Sequence, residues 1–428
     1  MERFDAIVIG AGPAGSTAAY RMAKGGLKVL LVERAKLPGG KNLFGGRIYS
    51  HILRKHFGNF ESDAPVERFV VRETIGMMDE SDCASIDFVS RRSEANKASS
   101  FIARRSRFDK WLADKAEGAG ALLVPGTNVE DIVVRDGAVR GIVSGGDTIE
   151  SECVVNAEGV TATIARKAGL RSDVSPSQVK VGVKETIELG KDRINDRFNL
   201  SDDEGAAGVF IGYPASYLSA SGSFVYTNSD SVSIGLVVDP IELSGARKDV
   251  QLMIEEFRLH PYMQRLLKGG RMIEYSAHMI PNSVPLEPSN LVGNGFLNTG
   301  DAAGLFVNHG FTYRGVDFAI ASGIAAADAV ISAHSAGSYG RDSLMSYYEY
   351  LAREVIPELR RAEKTAGVLH NKRMFSTYPP FVLDFLEDMF RFDGVGKTPV
   401  SSSLRKNMKG RISTLTALRD MLSAYRKL

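Results

Sequence analysis

The sequence predicts an α/β protein built on two sheets, with a helical C-terminal region. Three observations predict it. The run Ala6–Ile9 is continuously apolar, as a parallel strand covered on both faces is, and it leads straight into Gly10-Ala11-Gly12-Pro13-Ala14-Gly15. Residues 180–290 contain strand-like stretches, Val181–Leu189, Ser223–Thr227 and Val232–Val238, and read as an antiparallel domain. From about residue 340 the chain turns helical and more charged. Its 428 residues suffice for roughly two to three structural units.

Residues 4–10 read as the first buried strand, 13–24 as an alanine-rich helix ended by Gly25-Gly26, and 28–33 as the second strand. Together they form one βαβ unit of about 30 residues. Residues 35–60, rich in glycine and polar side chains, predict a long functional loop and then a short helix. Strands are expected within 66–103, and a helix over 105–119 carries Phe108, Trp111, Leu112, Ala113 and Ala116 on one face. Residues 121–155 hold short strands with turns at Asp136-Gly137 and Gly145-Gly146. Cys153–Ala157 reads as a strand returning to the first sheet. A helix over 247–258 interrupts the second group of strands. The strand Phe296–Thr299 and the small-residue helix Val316–Ala329 then restore the character of a nucleotide fold. The expected division is 1–179 with 291–335 as a Rossmann-like domain, 180–290 as an antiparallel-sheet substrate domain, and 336–428 as the helical region.

Composition narrows the function. A net charge of +2 gives no electrostatic case for nucleic acid, and 44% hydrophobic with 24% charged residues is ordinary for a globular protein. Cys83 and Cys153 are the two cysteines, too few for an iron–sulfur cluster, which usually takes four. That count suits a reducing compartment, with a disulfide between the two left open. Met1–Phe4 leave no room for a signal peptide, and no uninterrupted apolar run reaches the length of about 18 residues that a membrane span needs. The expected address is the cytoplasm, with attachment to the inner face of the cell membrane left open. The seven histidines lack metal-ligand spacing, and no catalytic acid, base or nucleophile is expected.

The chemistry sits in the glycine turn. Gly10 allows the tight passage from strand to helix, Gly12 lets backbone approach a pyrophosphate, and Gly15 lets the helix pack closely on the strand. Pro13 and Ala14 open the helix, whose N-terminal N–H groups and dipole favour phosphate. Glu33, at the end of the second strand, is placed to accept hydrogen bonds from ribose hydroxyls. The alternative is a glycine-rich turn without a ligand, and the turn alone leaves FAD and NAD both open. Gly300-Asp301-Ala302-Ala303-Gly304 resembles the Gly-Asp motif that many flavoproteins place late in the chain, where the aspartate meets the ribityl chain. Arg105-Ser106-Arg107-Phe108-Asp109 resembles the Arg-x-x-Phe-Asp element of the same superfamily, whose arginine lies near FAD and can grip phosphate with two donors. Asn156-Ala157-Glu158-Gly159 resembles its Asp-Gly element, with glutamate in place of aspartate.

A narrower resemblance runs through nearly the whole chain. Lys41-Asn42-Leu43-Phe44-Gly45-Gly46-Arg47-Ile48-Tyr49, Val181-Gly182-Val183-Lys184-Glu185, Glu274-Tyr275-Ser276-Ala277-His278-Met279 and Gly310-Phe311-Thr312-Tyr313-Arg314-Gly315 are similar to stretches of the FixC proteins. These are relatives of electron transfer flavoprotein:quinone oxidoreductase. The resemblance implies FAD as cofactor. It implies a heterodimeric electron transfer flavoprotein as donor, quinone as acceptor, and a separate small ferredoxin-like subunit for the iron–sulfur cluster, in a FixABCX-type complex that bifurcates electrons in some arrangements. Gly45 and Gly46 would let the flavin ring approach backbone, and the helix starting near Gly315 would aim its positive end at the N1–C2 edge. Arg34, Val129, Gly159 and Gly304 complete the expected FAD contacts. Geranylgeranyl reductases share the scaffold, but they carry a Tyr-x-Trp-x-Phe-Pro element where this chain reads Ser221-Gly222-Ser223-Phe224-Val225-Tyr226-Thr227-Asn228, and the one tryptophan is Trp111. The apolar segment from Met374 to Leu386, beside Lys372-Arg373, reads either as a membrane-facing surface or as a cap on the core.

Overall fold

The computed structural model describes residues 3–40, 46–90, 99–282, 284–309, 312–392, 394 and 396–427. The first sheet grows from β1 (Arg3–Ile9), α1 (Pro13–Lys24) and β2 (Val29–Glu33), as the apolar run and the glycine turn predict. β1 and β2 are parallel, with Ala6 opposite Val29 and Ile9 opposite Val32. β7 (Leu122–Pro125) extends the sheet beyond β2, and β10 (Asp147–Asn156) lies parallel to β1 on its other side. β17 (Phe296–Asn298) is the next strand outward, parallel to β10, and β16 (Val292–Gly293) pairs with it. β9 (Ala138–Ser144) pairs antiparallel with the early part of β10, and β8 (Asp131–Arg135) pairs antiparallel with β9. The return of Cys153–Asn156 into this sheet agrees with the expectation.

The second sheet runs β15 (Arg271–Pro281), β11 (Val179–Glu188), β14 (Ser231–Val238), β13 (Gly222–Thr227), β12 (Glu204–Gly212), β4 (Arg68–Met78), β6 (Ser100–Ile102) and β3 (Arg47–Tyr49), with β5 (Cys83–Val89) also on β4. Its pairs are antiparallel except β12 with β4, which is parallel. The strands within 47–102 therefore join the second sheet, not the nucleotide sheet that precedes and follows them in the chain. Alternation along those residues signals a strand, but not which sheet it completes.

The long helix α3 packs along α1 of the first sheet's layer and also meets β3 of the second sheet. Its range is Val316–Ala336, longer than the expected Val316–Ala329, and Gly337 in the left-handed conformation ends it. Gly323 is the closest contact, since a Cβ there would lie 2.2 Å from the Ala14 carbonyl oxygen. Among the described residues, α3 is the one helix long and apolar enough to cross a membrane by length and composition, and 78% of that window is buried in the core.

In the C-terminal region, α4 (Ile356–Leu369), α5 (Tyr378–Phe390) and α6 (Thr414–Lys427) follow. α5 packs on β4, β5 and β12. Phe375 and Leu383 are thereby buried within the segment Met374–Leu386, while the exposed large apolar side chains lie further on, at Phe390, Phe392, Leu415 and Tyr425. Arg373 grips Asp420 of α6 with two bonds of 2.7 and 2.6 Å.

Arg68 ties the start of β4 to three later segments. It is 1% exposed, and its guanidinium donates to the carbonyls of Asn228 (2.8 Å), Glu204 (2.8 Å), Ser201 (3.2 Å) and Ser229 (3.1 Å) and to Asn195 Oδ1 (2.8 Å). Replacing it with an apolar chain of similar length strands those acceptors in the interior. We expect Arg68→Met to lower unfolding stability by about 3 kcal/mol or more, read as a fall in the denaturant midpoint. An unchanged midpoint would mean that water reaches these carbonyls.

Candidate functional site

A long cleft lies between the two sheets and encloses about 1570 Å³ not filled by protein, its open mouth included. One end is built from the β1–α1 turn. Gly10 adopts a φ of +97°, and a Cβ there would sit 2.5 Å from the Ala157 carbonyl oxygen. A Cβ on Gly15 would sit 1.9 Å from the Gly10 carbonyl oxygen, so only hydrogen fits where the helix crosses the strand end. A Cβ on Gly12 would meet nothing within 4 Å, because that position faces the cleft. No side chain caps the start of α1, which leaves its first N–H groups available to a ligand. Glu33 also lines the cleft and shapes the turn. Its carboxylate accepts from the Ala11 N–H at 2.9 Å and from the Ala35 N–H at 2.7 Å. Arg34 stands exposed at the same end.

The middle of the cleft carries the charge. Arg105 opens α2 (Arg105–Gly118) and is buried, gripping Asp109 one turn later through Nε–Oδ1 (2.8 Å) and Nη2–Oδ2 (2.9 Å). Burial opposes its charge, but Asp109 and Asp301 outweigh that and hold the guanidinium cationic. Asp301 follows β17 in the short turn Gly300–Ala303, and Gly300 brings that turn against Ala14 of α1. Burial, reinforced by Asp109 and opposed by Arg105, pushes the Asp301 carboxyl up to about 6. Opposite stands His278 on β15, whose imidazole burial and the Arg105 charge push down to about 4, so it is neutral at physiological pH.

The far end is aromatic. Tyr226 stacks on Phe224, ring centres 4.9 Å apart, and a Cβ on Gly46 would lie 3.1 Å from the Tyr226 ring. Tyr49 lies between two guanidiniums, Arg47 and Arg314, each 4.9 Å from its ring centre. The hairpin of β18 (Val307–Asn308) and β19 (Tyr313–Arg314) delivers Tyr313 and Arg314, and Phe306 precedes it. Gly315 then starts α3 with no side-chain cap, so a second helix N-terminus opens on the cleft.

The cleft therefore brings together Gly10, Gly12, Pro13, Ala14, Glu33, Arg34, Gly46, Arg105, Gly159, Gly300, Asp301 and Gly315. Gly15 stands behind the wall as a packing contact. Val129 packs against the core cluster that contains Phe4, Ile7 and Val32, and Gly304 packs on Val284; neither lines the cleft. Gly45 lies outside the described residues. Glu158, where the resemblance leads one to expect aspartate, lines the cleft and accepts the N–H groups of Ile164 (2.8 Å) and Ala165 (3.0 Å). The extra methylene lets one carboxylate reach the start of the short helix Thr163–Lys167. His309 sits 3.7 Å from Glu358 and is not part of the cleft wall. Sequence reasoning did not single out Arg47, Tyr49, Tyr226, His278, Tyr313 or Arg314. All but Tyr226 fall in a stretch similar to FixC, which was the available signal. Cys83 and Cys153 are free, and burial pushes both thiols up to about 12.

These features fit FAD: an anion-binding turn beside a ribose acceptor, a buried cation at mid-length, and an aromatic compartment under a second helix start. Two tests follow. Gly12→Ala should leave unfolding of the cofactor-free protein unchanged and weaken FAD at least tenfold by fluorescence titration, because the methyl enters only ligand space; Gly10→Ala should destabilise the fold itself. For Asp301, the raised carboxyl means that stability is greatest below its ordinary value, about 4, and is lost as pH rises through about 6. The melting-temperature advantage of cofactor-free Asp301→Asn over the parent should thus be larger at pH 7.5 than at pH 4.5, and a pH-independent difference would refute the shift.

Comparison with known proteins agrees with this reading. Residues 98–329 match the model for FAD dependent oxidoreductases, and residues 365–428 match the ETF-QO/FixC family C-terminal domain. Residues 1–168 match the Thi4 family. Protein FixC of Salmonella typhi is 39% identical over 98% of this chain and 97% of its own. Protein FixC of Escherichia coli K12 is 42% identical over 91% of each chain. The probable electron transfer flavoprotein-quinone oxidoreductase YdiS of Escherichia coli K12 is 40% identical over 98% of this chain and 97% of its own. Among solved structures, a geranylgeranyl bacteriochlorophyll reductase-like protein from Thermoplasma acidophilum superposes with a TM-score of 0.71 at 21% identity, covering 98% of this chain and all of that one, which shows the shared fold. The flavin site and these full-length similarities lead to one conclusion: the chain belongs to the FixC/electron transfer flavoprotein-quinone oxidoreductase family and is an FAD-dependent electron-transfer oxidoreductase.

Proposed function

We propose that this enzyme takes electrons from a heterodimeric electron transfer flavoprotein and passes them to a quinone. The observation that carries the reading is the neighbourhood of the aromatic compartment. Phe306 and Tyr313, whose ring centres are 6.1 Å apart, each wall that compartment on one face and a smaller recess on the other. The two recesses share Ala220, Asn308 and Leu369; Val284, Leu286, Leu359 and Phe375 give them apolar walls, with Lys180, Glu363 and His370 also lining the larger one. An apolar acceptor seated there is separated from the cofactor compartment by one layer of aromatic rings.

FAD, when bound, supplies the uptake and release of electrons; the protein supplies position and electrostatics. Gly12 and the start of α1 would hold the pyrophosphate, Glu33 the adenosine ribose, and Arg105 and Asp301 the ribityl span towards the ring compartment. Tyr226, Tyr49 and Gly46 would bound the ring compartment, and the start of α3 would place partial positive charge at its edge. His278, kept neutral by burial and by Arg105, can hold a proton at one ring nitrogen and accept at the other.

The family assignment supports the partners. A chain with two cysteines, too few for a cluster, would rely on a separate ferredoxin-like subunit for any cluster, in a complex of the FixABCX type. Bifurcation of electrons in such a complex would depend on those partners. A long-tailed quinone would bring the protein to a membrane surface, and the exposed Phe390, Leu415, Leu418, Leu422 and Tyr425, with Arg391, Arg419 and Arg426 nearby in sequence, are suited to one.

The test is anaerobic absorbance of the FAD-loaded chain. Reduced electron transfer flavoprotein should bleach the flavin and a quinone analogue should restore it. Leu369→Glu should slow the restoring step at least tenfold and leave bleaching unchanged. A flavin that ignores both partners, but is reoxidised by a prenyl lipid after chemical reduction, would replace this reading with a prenyl reductase.

A further inference from the structure

Arg314 occupies an unusual position among the charged groups of the cleft. It is the last residue of β19, immediately before the uncapped start of α3, and it lines the aromatic compartment. Its guanidinium lies 4.9 Å from the Tyr49 ring centre and 4.7 Å from that of Phe318. Two carboxylates share it. Asp317 Oδ2 accepts from Nε at 3.0 Å and from Nη2, and Glu358 Oε1 accepts from Nη1. Asp317 belongs to the same helix start, whereas Glu358 comes from α4, 44 residues further along the chain. His309 also approaches Glu358, with Nε2 at 3.7 Å. Burial opposes the Arg314 charge, but the two carboxylates outweigh it and hold the group cationic.

With the flavin ring in the aromatic compartment, a fixed cation at this end of the cleft would lie near the part of the flavin that gains negative charge on reduction, and charge near that edge is one means a protein has to set a flavin's potential. Bound carboxylates reduce the field such a cation exerts. We propose that Arg314 sets the reduction potential of the bound FAD and that Glu358 tempers it, so that the helical C-terminal region acts on the cofactor through one ion pair. This rests on the reading above that the flavin ring occupies the aromatic compartment. Glu358 is a positioning residue here, and its effect passes through Arg314.

The opposite signs of the two groups make the proposal testable on the FAD-loaded full chain by spectroelectrochemical titration. Glu358→Gln keeps the shape and removes the negative charge. It should favour reduced over oxidised flavin by about tenfold at a given potential, a rise of about 30 mV for a two-electron couple. Arg314→Gln should shift the ratio by at least as much in the other direction. The double variant should differ little from Arg314→Gln, because Glu358 acts through the arginine. Shifts of the same sign, or none, would overturn the proposal. If Arg314→Gln fails to accumulate, Glu358→Gln decides alone, and an unchanged or lowered potential counts against it. Hydrogen–deuterium exchange at Val316–Ala319 separates the two levels of inference. Protection on FAD loading with unshifted potentials removes only the role of Arg314 and Glu358, whereas absence of protection removes the ring placement and the proposal with it.

Discussion

The site depends on how closely α1 and α3 approach. Gly323 of α3 sits where any side chain would run into the Ala14 carbonyl, and Gly15 sits where any side chain would run into the Gly10 carbonyl. These two contacts fix α1 against the strand on one side and against α3 on the other. Both helices begin at the cleft, at Gly12 and Gly315, without side-chain caps. Had the helices been held apart by ordinary side chains, the two N-termini would not face one ligand-sized space. Packing therefore comes first here, and the electrostatic character of the site follows from it.

The charges in the cleft obey one pattern. Each buried cation is paired: Arg105 with Asp109, Arg47 with Glu73, Arg314 with Asp317 and Glu358. Isolated charges at such depth are costly, so unpaired titratable groups are driven towards neutrality. Asp301 is pushed towards its protonated form and His278 away from its protonated form, by the same burial. What remains for a phosphate-bearing ligand is a set of donors already held in place. That arrangement lowers the ordering cost of binding, which is the physical meaning of a pre-formed site.

How much of this could be read from the chain depends on the distance between partners in sequence. The βαβ unit is local, so a continuous apolar run, three spaced glycines and Glu33 define it within 34 residues. The same holds for Arg105 with Asp109, one helical turn apart. The second sheet is different. β4 pairs with β12 across more than a hundred residues, and alternation along β4 carries no information about that choice. The aromatic compartment is harder still, because Tyr49, Tyr226 and His278 come from three distant strands of the second sheet and Arg314 from the separate β18–β19 hairpin. Similarity to a family marked those stretches without saying what they line. It also named Val129 and Gly304, which pack elsewhere.

α3 shows why composition alone misleads. Its window has a mean hydropathy of 1.6, enough for a membrane span, although charged Asp317 and Asp328 keep it from being one uninterrupted apolar run. The apolarity has another cause. A helix that touches α1 through backbone at Gly323 must carry small residues along that contact, and Ala326 and Ala327, three and four residues further on, are fully buried. A span facing lipid tolerates large side chains over its whole surface, whereas this helix is restricted to small ones where another helix lies against it. The alanine-rich sequence records that close packing, and the close packing is what brings the start of the helix, with Arg314 beside it, to the cofactor cleft.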